Sequence, residues 1–296
     1  MDILVLGGAG QVGTELRAFA WPEGVRVHAP DRATLDITEA GAVAAALAER
    51  TYAAVINTAA YTAVDKAEGE VAAAWRLNAL APALLAAETK VRDIPLIHVS
   101  TDYVFPGTKA DAAYEPDEPV DPQSVYGASK AAGEFAVRTA QPRHAILRTA
   151  WVVSPHRGNF VKTMLRLAGQ RDGLSVVDDQ IGCPTSAADL AAALATVALR
   201  MAADPQAPTG TFHCVNDGAT TWCGFARAIV EGAARRGRRA VPVEGIPTSA
   251  YPTPARRPAN SRLSTQSLTA AYGLIPRPWQ AALDDILDRL VGPATA

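Results

Sequence analysis

Three cysteines in 296 residues, Cys183, Cys214 and Cys223, form no CxxC pair and leave an odd count. That spacing excludes a disulfide framework and a thiolate zinc site, and predicts idle thiols in a reducing compartment. Charge of one sign is also lacking, since 28 Lys and Arg stand against 30 Asp and Glu. No bulk field then recruits nucleic acid or an anionic membrane, so an anionic ligand has to be held by a local site. The Arg235, Arg236, Arg238, Arg239 cluster reads as a solvated helix end. Long apolar runs are missing too. The longest Ala/Leu-rich stretch, 187–203, is broken by Asp189 and Arg200 and reads as a packed helix, not a membrane span. Met1-Asp2 leads into apolar residues without a basic n-region or cleavage site, which predicts no secretory signal and a cytoplasmic location.

What the chain does contain is apolar mass, 49% of its residues, enough for one large core with a smaller unit attached. Short apolar runs alternate with Ala-rich stretches: 3–6 then 11–20, 25–29 then 40–50, 54–57 then 72–90, 96–100 then 124–140, and 145–149. This alternation predicts an α/β, Rossmann-like doubly wound parallel sheet over residues 1–150. Residues 151–296 are expected mainly to bind substrate, with a helix near 186–203 rejoining the first unit. Within that region the proline-rich segment 240–258 excludes a long helix or a central strand.

Directly after the first apolar run comes Gly7-Gly8-Ala9-Gly10-Gln11-Val12-Gly13. Gly7 permits a tight turn, Gly10 lets backbone amides approach a pyrophosphate, and Gly13 lets helix and strand pack closely. The second run ends at Asp31-Arg32. An acidic residue there suits ribose hydroxyls and an arginine suits a 2′-phosphate, which leaves NADH and NADPH both open. Asp36-Ile37 either clamps an adenine or caps the helix that starts near Glu39.

Tyr126 and Lys130 lie four residues apart at the start of a predicted helix, so they share a face. A phenol with a pKa near ~10 exchanges protons poorly at neutral pH unless a nearby ammonium stabilises its anion. The pairing also describes an ordinary surface contact. Context comes from the strand 96–100, whose carboxyl end delivers Thr101, Asp102 and Tyr103 to the edge where open α/β sheets bind ligands. Thr101 there either meets a carbonyl oxygen or serves the turn.

The glycine spacing, Asn57–Ala60, Ser100–Phe105 and the Tyr126/Lys130 pair resemble the extended short-chain dehydrogenase/reductase superfamily. Within it, Leu35–Thr38, Ala60–Glu68, Arg148–Trp151, Gly158–Val161, Val177–Thr185 and Arg257–Leu263 resemble the dTDP-4-dehydrorhamnose reductase family, and the likeness runs from residue 3 to about residue 265. The resemblance implies Tyr126 as proton donor, Lys130 as its charge partner and ribose ligand, and Thr101 as the hydroxyl that tunes the carbonyl. It implies Gly10, Gln11 and Val12 on the pyrophosphate, Asp31 and Arg32 near the adenosine ribose, and Asp36 and Ile37 near the adenine. Ala60, Tyr61, Thr62 and Val99 would lie along the cofactor. Thr101, Asp102, Tyr103 and Trp151 would touch the sugar, although residue chemistry alone makes Trp151 a core aromatic.

The implied reaction is NAD(P)H-dependent reduction of the C4 keto group of dTDP-4-dehydro-6-deoxy-L-mannose to dTDP-L-rhamnose, a precursor of cell-surface polysaccharide. Two alternatives stay open: another nucleotide-sugar 4-keto reductase or epimerase, and a non-catalytic reductase-like regulatory subunit. Retention of Thr101, Tyr126 and Lys130 together argues against the latter. Family resemblance alone implies a homodimer and, in some members, magnesium at a dimer contact. No motif supplies metal ligands, and none is assigned.

Overall fold

The structure, a computed structural model, describes residues 1–294, so the last two residues of the 151–296 region lie outside the described residues. Six parallel strands form the central sheet: β1 (Asp2–Leu6), β2 (Arg26–His28), β3 (Ala54–Asn57), β4 (Leu96–Thr101), β5 (His144–Thr149) and a late edge strand, Gly210–His213. Their spatial order is edge strand, β5, β4, β3, β1, β2. The inner strands are apolar throughout because both faces are covered, and successive side chains serve opposite faces. Ile3, Val5, Ile56, Ile97 and Leu147 pack with Leu16 of the helix Gln11–Ala18 and with Leu190, Leu194 and Val197 of the helix Ala187–Ala203. Leu4, Leu6, Val55, Leu96 and Ile146 pack on the other side with Val43, Leu47, Leu85 and Val137.

Each element expected up to Thr149 forms within two residues of its predicted bounds, with one exception. The stretch expected as a single helix over 72–90 contains a wide π turn at Arg76–Leu80 between α-helical Val71–Trp75 and Ala81–Val91. Pro82 has no N–H to give the Asn78 carbonyl, and the ladder opens just upstream of it. The freed carbonyl lies where a Cβ on Gly133 would come within 2.1 Å, so the helix Val125–Ala140 packs against this turn only because residue 133 is glycine.

A second core joins the helices Phe160–Ala168, Trp222–Ala234 and Trp279–Val291 through Val161, Met164, Phe225, Ile229, Leu283 and Ile286. Against it lie two paired strands, Leu174–Val177 and Val243–Ile246, the latter short and set between Pro242 and Pro247. The arginine cluster departs from expectation. Arg236 is buried and binds Asp284 and Asp288, while Arg235 also pairs with Asp284 and Arg239 with Asp172. Acidic residues of the terminal helix supply partners that local sequence did not reveal. Among the described residues no helix is long and apolar enough to cross a membrane.

One ion pair sits inside the sheet core. Arg148 of β5 makes a two-pronged contact with Glu134, at 2.8 and 2.7 Å, and both side chains are 1% exposed or less. Removing one partner strands a buried charge, which typically costs about 3–5 kcal/mol. Arg148→Met should therefore lower stability by roughly that amount in urea denaturation. A loss below about 1 kcal/mol would instead place this pair with the weak surface bridges.

Candidate active site

The carboxyl ends of β1, β3, β4 and β5 open into a cleft of about 700 Å³, a volume within the range of small-molecule sites. At its base the chain leaves β1 through Gly7, at φ +80°, and enters the helix Gln11–Ala18 at Gly10. That helix start has no side-chain cap. The amides of Gln11, Val12 and Gly13 precede the first intrahelical bond, and such groups at a helix start attract an anion. A Cβ on Gly13 would lie 2.2 Å from the Gly7 carbonyl, so this tight approach requires glycine. Gly13 itself packs beneath the turn and does not line the cleft.

The cleft brings together Gly7, Gly10, Gln11, Val12, Asp31, Arg32, Asp36, Ile37, Ala60, Thr62, Val99, Thr101, Asp102, Tyr103, Tyr126, Lys130 and Trp151. Tyr61 is not among its lining residues; its hydroxyl donates to Glu70 at 2.6 Å. The Gln11 side-chain oxygen accepts from Ser154 and Asn159 at 2.7 and 2.9 Å. At the mouth, Asp31 accepts the Thr34 N–H and hydroxyl at 2.8 and 2.9 Å, and these bonds lower its pKa. Asp36 does the same for Thr38 at 3.0 and 2.8 Å, bracing the turn before the helix Ala40–Ala48 while also lining the cleft. Arg32 reaches Asp36 at 3.4 Å and is otherwise exposed.

Opposite the glycine turn, Ser124 caps the helix Val125–Ala140 by accepting from Gly127 N at 3.2 Å, and Glu68 accepts the Val125 N–H at 2.9 Å. This fixes the first turn, which carries Tyr126, and Lys130 one turn later on the same face. Both are buried. Burial raises the Tyr126 phenol above its ordinary value, with the neighbouring Thr101 hydroxyl opposing. Burial lowers Lys130 to about 8, with the Glu134 carboxylate opposing. The Lys130 ammonium donates to the Val99 carbonyl at 2.6 Å. Thr101 ends β4, where its hydroxyl donates to Asp102 Oδ1 at 3.0 Å and accepts from Tyr103 N at 3.3 Å. Asp102 is pushed up to about 6 by burial, and its Oδ2 has no partner.

The far wall comes from the second core. Trp151, half-buried and at φ +50°, stacks on Trp222 with ring centroids 3.5 Å apart. It is thus both a packing residue and a cleft residue. Arg257 ties this side to the floor, donating to the Tyr103 hydroxyl at 3.0 Å and to Asp65 at 2.6 Å. Several lining or supporting groups had no local signature in the sequence: Trp222, Arg157 and, behind the wall, Asn78; Asn159 fell within the Gly158–Val161 motif without a role assigned to it. Asn78 is fully buried within the π turn, accepts the Tyr61 N–H at 2.8 Å and donates to Tyr61 O and Ser129 Oγ at 3.1 and 3.0 Å. Among the described residues no group of three or more His, Cys, Asp or Glu side chains is placed to hold a metal ion, so no magnesium site is assigned.

A doubly wound sheet with a glycine turn after β1 and a Thr/Tyr/Lys group at the ends of β4 and the following helix defines a short-chain dehydrogenase/reductase of the extended kind. Comparison with known proteins agrees. The family model of the RmlD substrate binding domain matches residues 1–291. The dTDP-4-dehydrorhamnose reductase of Sinorhizobium fredii is 42% identical over 95% of this chain and 94% of its own. The solved structure of the Clostridium acetobutylicum dTDP-4-dehydrorhamnose reductase superimposes with a TM-score of 0.91 at 38% identity, covering 98% of this chain and 99% of that one. That of Bacillus anthracis, in complex with NADP, gives 0.90 at 32% identity, covering 97% and 99%. The chain belongs to the dTDP-4-dehydrorhamnose reductase family.

Replacing Asn78 by alanine removes three hydrogen bonds that hold Tyr61 and Ser129 in place. Each buried polar group left unpaired typically costs about 1–3 kcal/mol. Asn78→Ala should lower the melting temperature and speed amide exchange across residues 59–62. Unchanged exchange there would show that the loop is held by other contacts.

Proposed function

We propose that the protein reduces the C4 keto group of dTDP-4-dehydro-6-deoxy-L-mannose to dTDP-L-rhamnose at the expense of NAD(P)H. One observation carries this reading: Thr101, Tyr126 and Lys130 converge in the same cleft as the unpaired amides of the glycine turn. A dinucleotide fits the residues present, because those amides suit a pyrophosphate, Asp31 and Arg32 would meet the adenosine end, and Val99 and Lys130 would meet the reacting end. When bound, the nicotinamide supplies the hydride. Tyr126 gives its phenolic proton to the ketone oxygen as the alcohol forms. The Lys130 ammonium stabilises the phenolate left behind and reaches toward the ribose, and Thr101 orients the carbonyl by hydrogen bonding. Asp102, Tyr103 and Trp151 border the space left for the sugar.

For the cofactor we favour NADPH. The complex of the Bacillus anthracis relative with NADP supports this, as does the exposed Arg32 guanidinium beside Asp31. The buried, unpaired thiols of Cys183, Cys214 and Cys223 suit a reducing cytoplasm. Residues of the second core, beginning at Trp151, would provide most of the sugar-nucleotide contacts.

The deciding measurement is oxidation of NADPH by the purified protein in the presence of the 4-keto sugar nucleotide, with the product identified by NMR. No turnover with that substrate, or turnover only with a different keto sugar, would refute the assignment. Tyr126→Phe deletes one hydroxyl and little volume, so it should fold and bind cofactor while kcat falls about 10²–10⁴-fold, the usual range for general acid catalysis. Retention of more than about a tenth of wild-type kcat would remove Tyr126 as proton donor. Arg32→Ala should weaken NADPH binding more than NADH binding, because only NADPH offers a phosphate for a charge-assisted bond. Equal losses would take Arg32 out of cofactor choice.

A further inference from the structure

Beneath the cleft floor runs a buried polar chain to which the reaction described so far gives no task. His98 of β4 and its register neighbour on β3, Asn57, are both 0% exposed. Asn57 Oδ1 accepts the Ala59 N–H at 3.1 Å, which makes its amide nitrogen the atom 3.1 Å from His98 Nδ1. An amide nitrogen only donates, so Nδ1 accepts. A neutral imidazole whose Nδ1 accepts carries its proton on Nε2. Neutrality is secured by burial and, second, by the nearby Lys130 charge, which together hold His98 well below its ordinary pKa. Its Nε2 lies 3.4 Å from Lys130 Nζ.

This tautomer restricts Lys130. Nζ already donates to the Val99 carbonyl. In the ammonium form a second N–H can face the cleft, but the third is directed at the Nε2–H and has no acceptor there. In the amine form, the lone pair accepts the Nε2–H and all contacts are satisfied. We propose that the Asn57–His98 pair is a positioning device for Lys130, whose fixed Nε2–H favours release of the lysine proton and turns the remaining N–H bonds toward Val99 and the cleft. His98 touches neither substrate nor cofactor in this role; it acts through Lys130. The inference rests on the reading of Tyr126 and Lys130 as the reacting pair and deepens it: the ammonium that steadies the Tyr126 phenolate can then return a proton to it, leaving the amine that accepts the His98 Nε2–H.

Other charged groups do not account for the effect. Glu134, on the same helix, favours the ammonium and is itself engaged by Arg148 of β5. Tyr126 lies one turn back on that helix, and Asp102, from the turn after β4, acts on Tyr126. From β3 the facing group is the neutral Asn57.

The first test needs no variant. Nitrogen-15 NMR of the wild-type protein at neutral pH should show His98 as the Nε2–H tautomer, and either an Nδ1–H tautomer or an imidazolium would overturn the proposal. The second test is Asn57→Asp, which keeps an acceptor for Ala59 and puts a carboxylate oxygen at Nδ1. That oxygen draws the proton to Nδ1, so Nε2 becomes an acceptor for the ammonium. The titration of Lys130, followed by its carbon-13 ε resonance without substrate, should then move upward by roughly one pH unit or more. The alkaline limb of kcat/KM should move with it. A Lys130 titration that stays in place in the folded variant would also overturn the proposal, and a variant that fails to fold leaves the wild-type tautomer to decide. Absence of turnover alone would count against the proposed reaction and not against this pairing, because both resonances are read without substrate.

Discussion

Everything in the cleft depends on the reversal of strand order at β1. The chain moves outward from β1 to β2 and then returns to β3 on the other side, so the connections after β1 and β3 depart in opposite directions and leave a crevice between them. Parallel pairing turns the carboxyl ends of all the inner strands toward that crevice. The glycine turn, the Asn57 end of β3 and the Thr101 end of β4 are therefore brought together by topology, although they are spread across a hundred residues of sequence. The helix Val125–Ala140 completes the group because Gly133 lets it lie against the Asn78 carbonyl.

Within this frame the protein buries ionisable groups in two distinct ways. Arg148 and Glu134 are matched charge for charge, and the sheet core tolerates them as a neutral unit. Lys130 has no such counterion. Its nearest contacts are a carbonyl and an imidazole, so its charge is the less secure of the two and its pKa falls into a range where the proton is exchangeable. Asp102 is the mirror case, a buried carboxyl with one oxygen unpartnered and its pKa raised. Both Lys130 and Asp102 line the crevice, where groups that change charge are useful.

How far could the sequence be read? The strands β1 to β5 and their helices were visible because fully covered strands are apolar runs and the helices are Ala-rich. The glycine turn and the Tyr126/Lys130 spacing were visible because their geometry is local. The π turn at Arg76–Leu80 was hidden behind good helical composition, with Pro82 as its sole mark. Asn78, His98 and Trp222 were invisible for a different reason: each acts on a partner distant in sequence, on Tyr61, Lys130 and Trp151 respectively. Arg236 looked like a surface cation because the aspartates that bind it lie in the last helix. Asp36 is instructive in another way: it braces Thr38 and borders the cleft, whereas the helix Ala40–Ala48 starts at Glu39 with no side-chain cap.

The late return of the chain to the first sheet has a consequence for how the molecule is built. The helix Ala187–Ala203 covers the face formed by Ile3, Val5, Ile56 and Ile97, and Gly210–His213 closes the edge of β5. A fragment ending near residue 150 would contain the whole glycine turn and the Tyr126/Lys130 pair, yet it would expose one apolar face of the sheet and an unpaired strand edge, both templates for self-association. The first half of the chain is thus not an autonomous module to which the second was appended. Biosynthesis must deliver some two hundred residues before the first sheet can close, and a nascent chain halted before that point would belong to the chaperones.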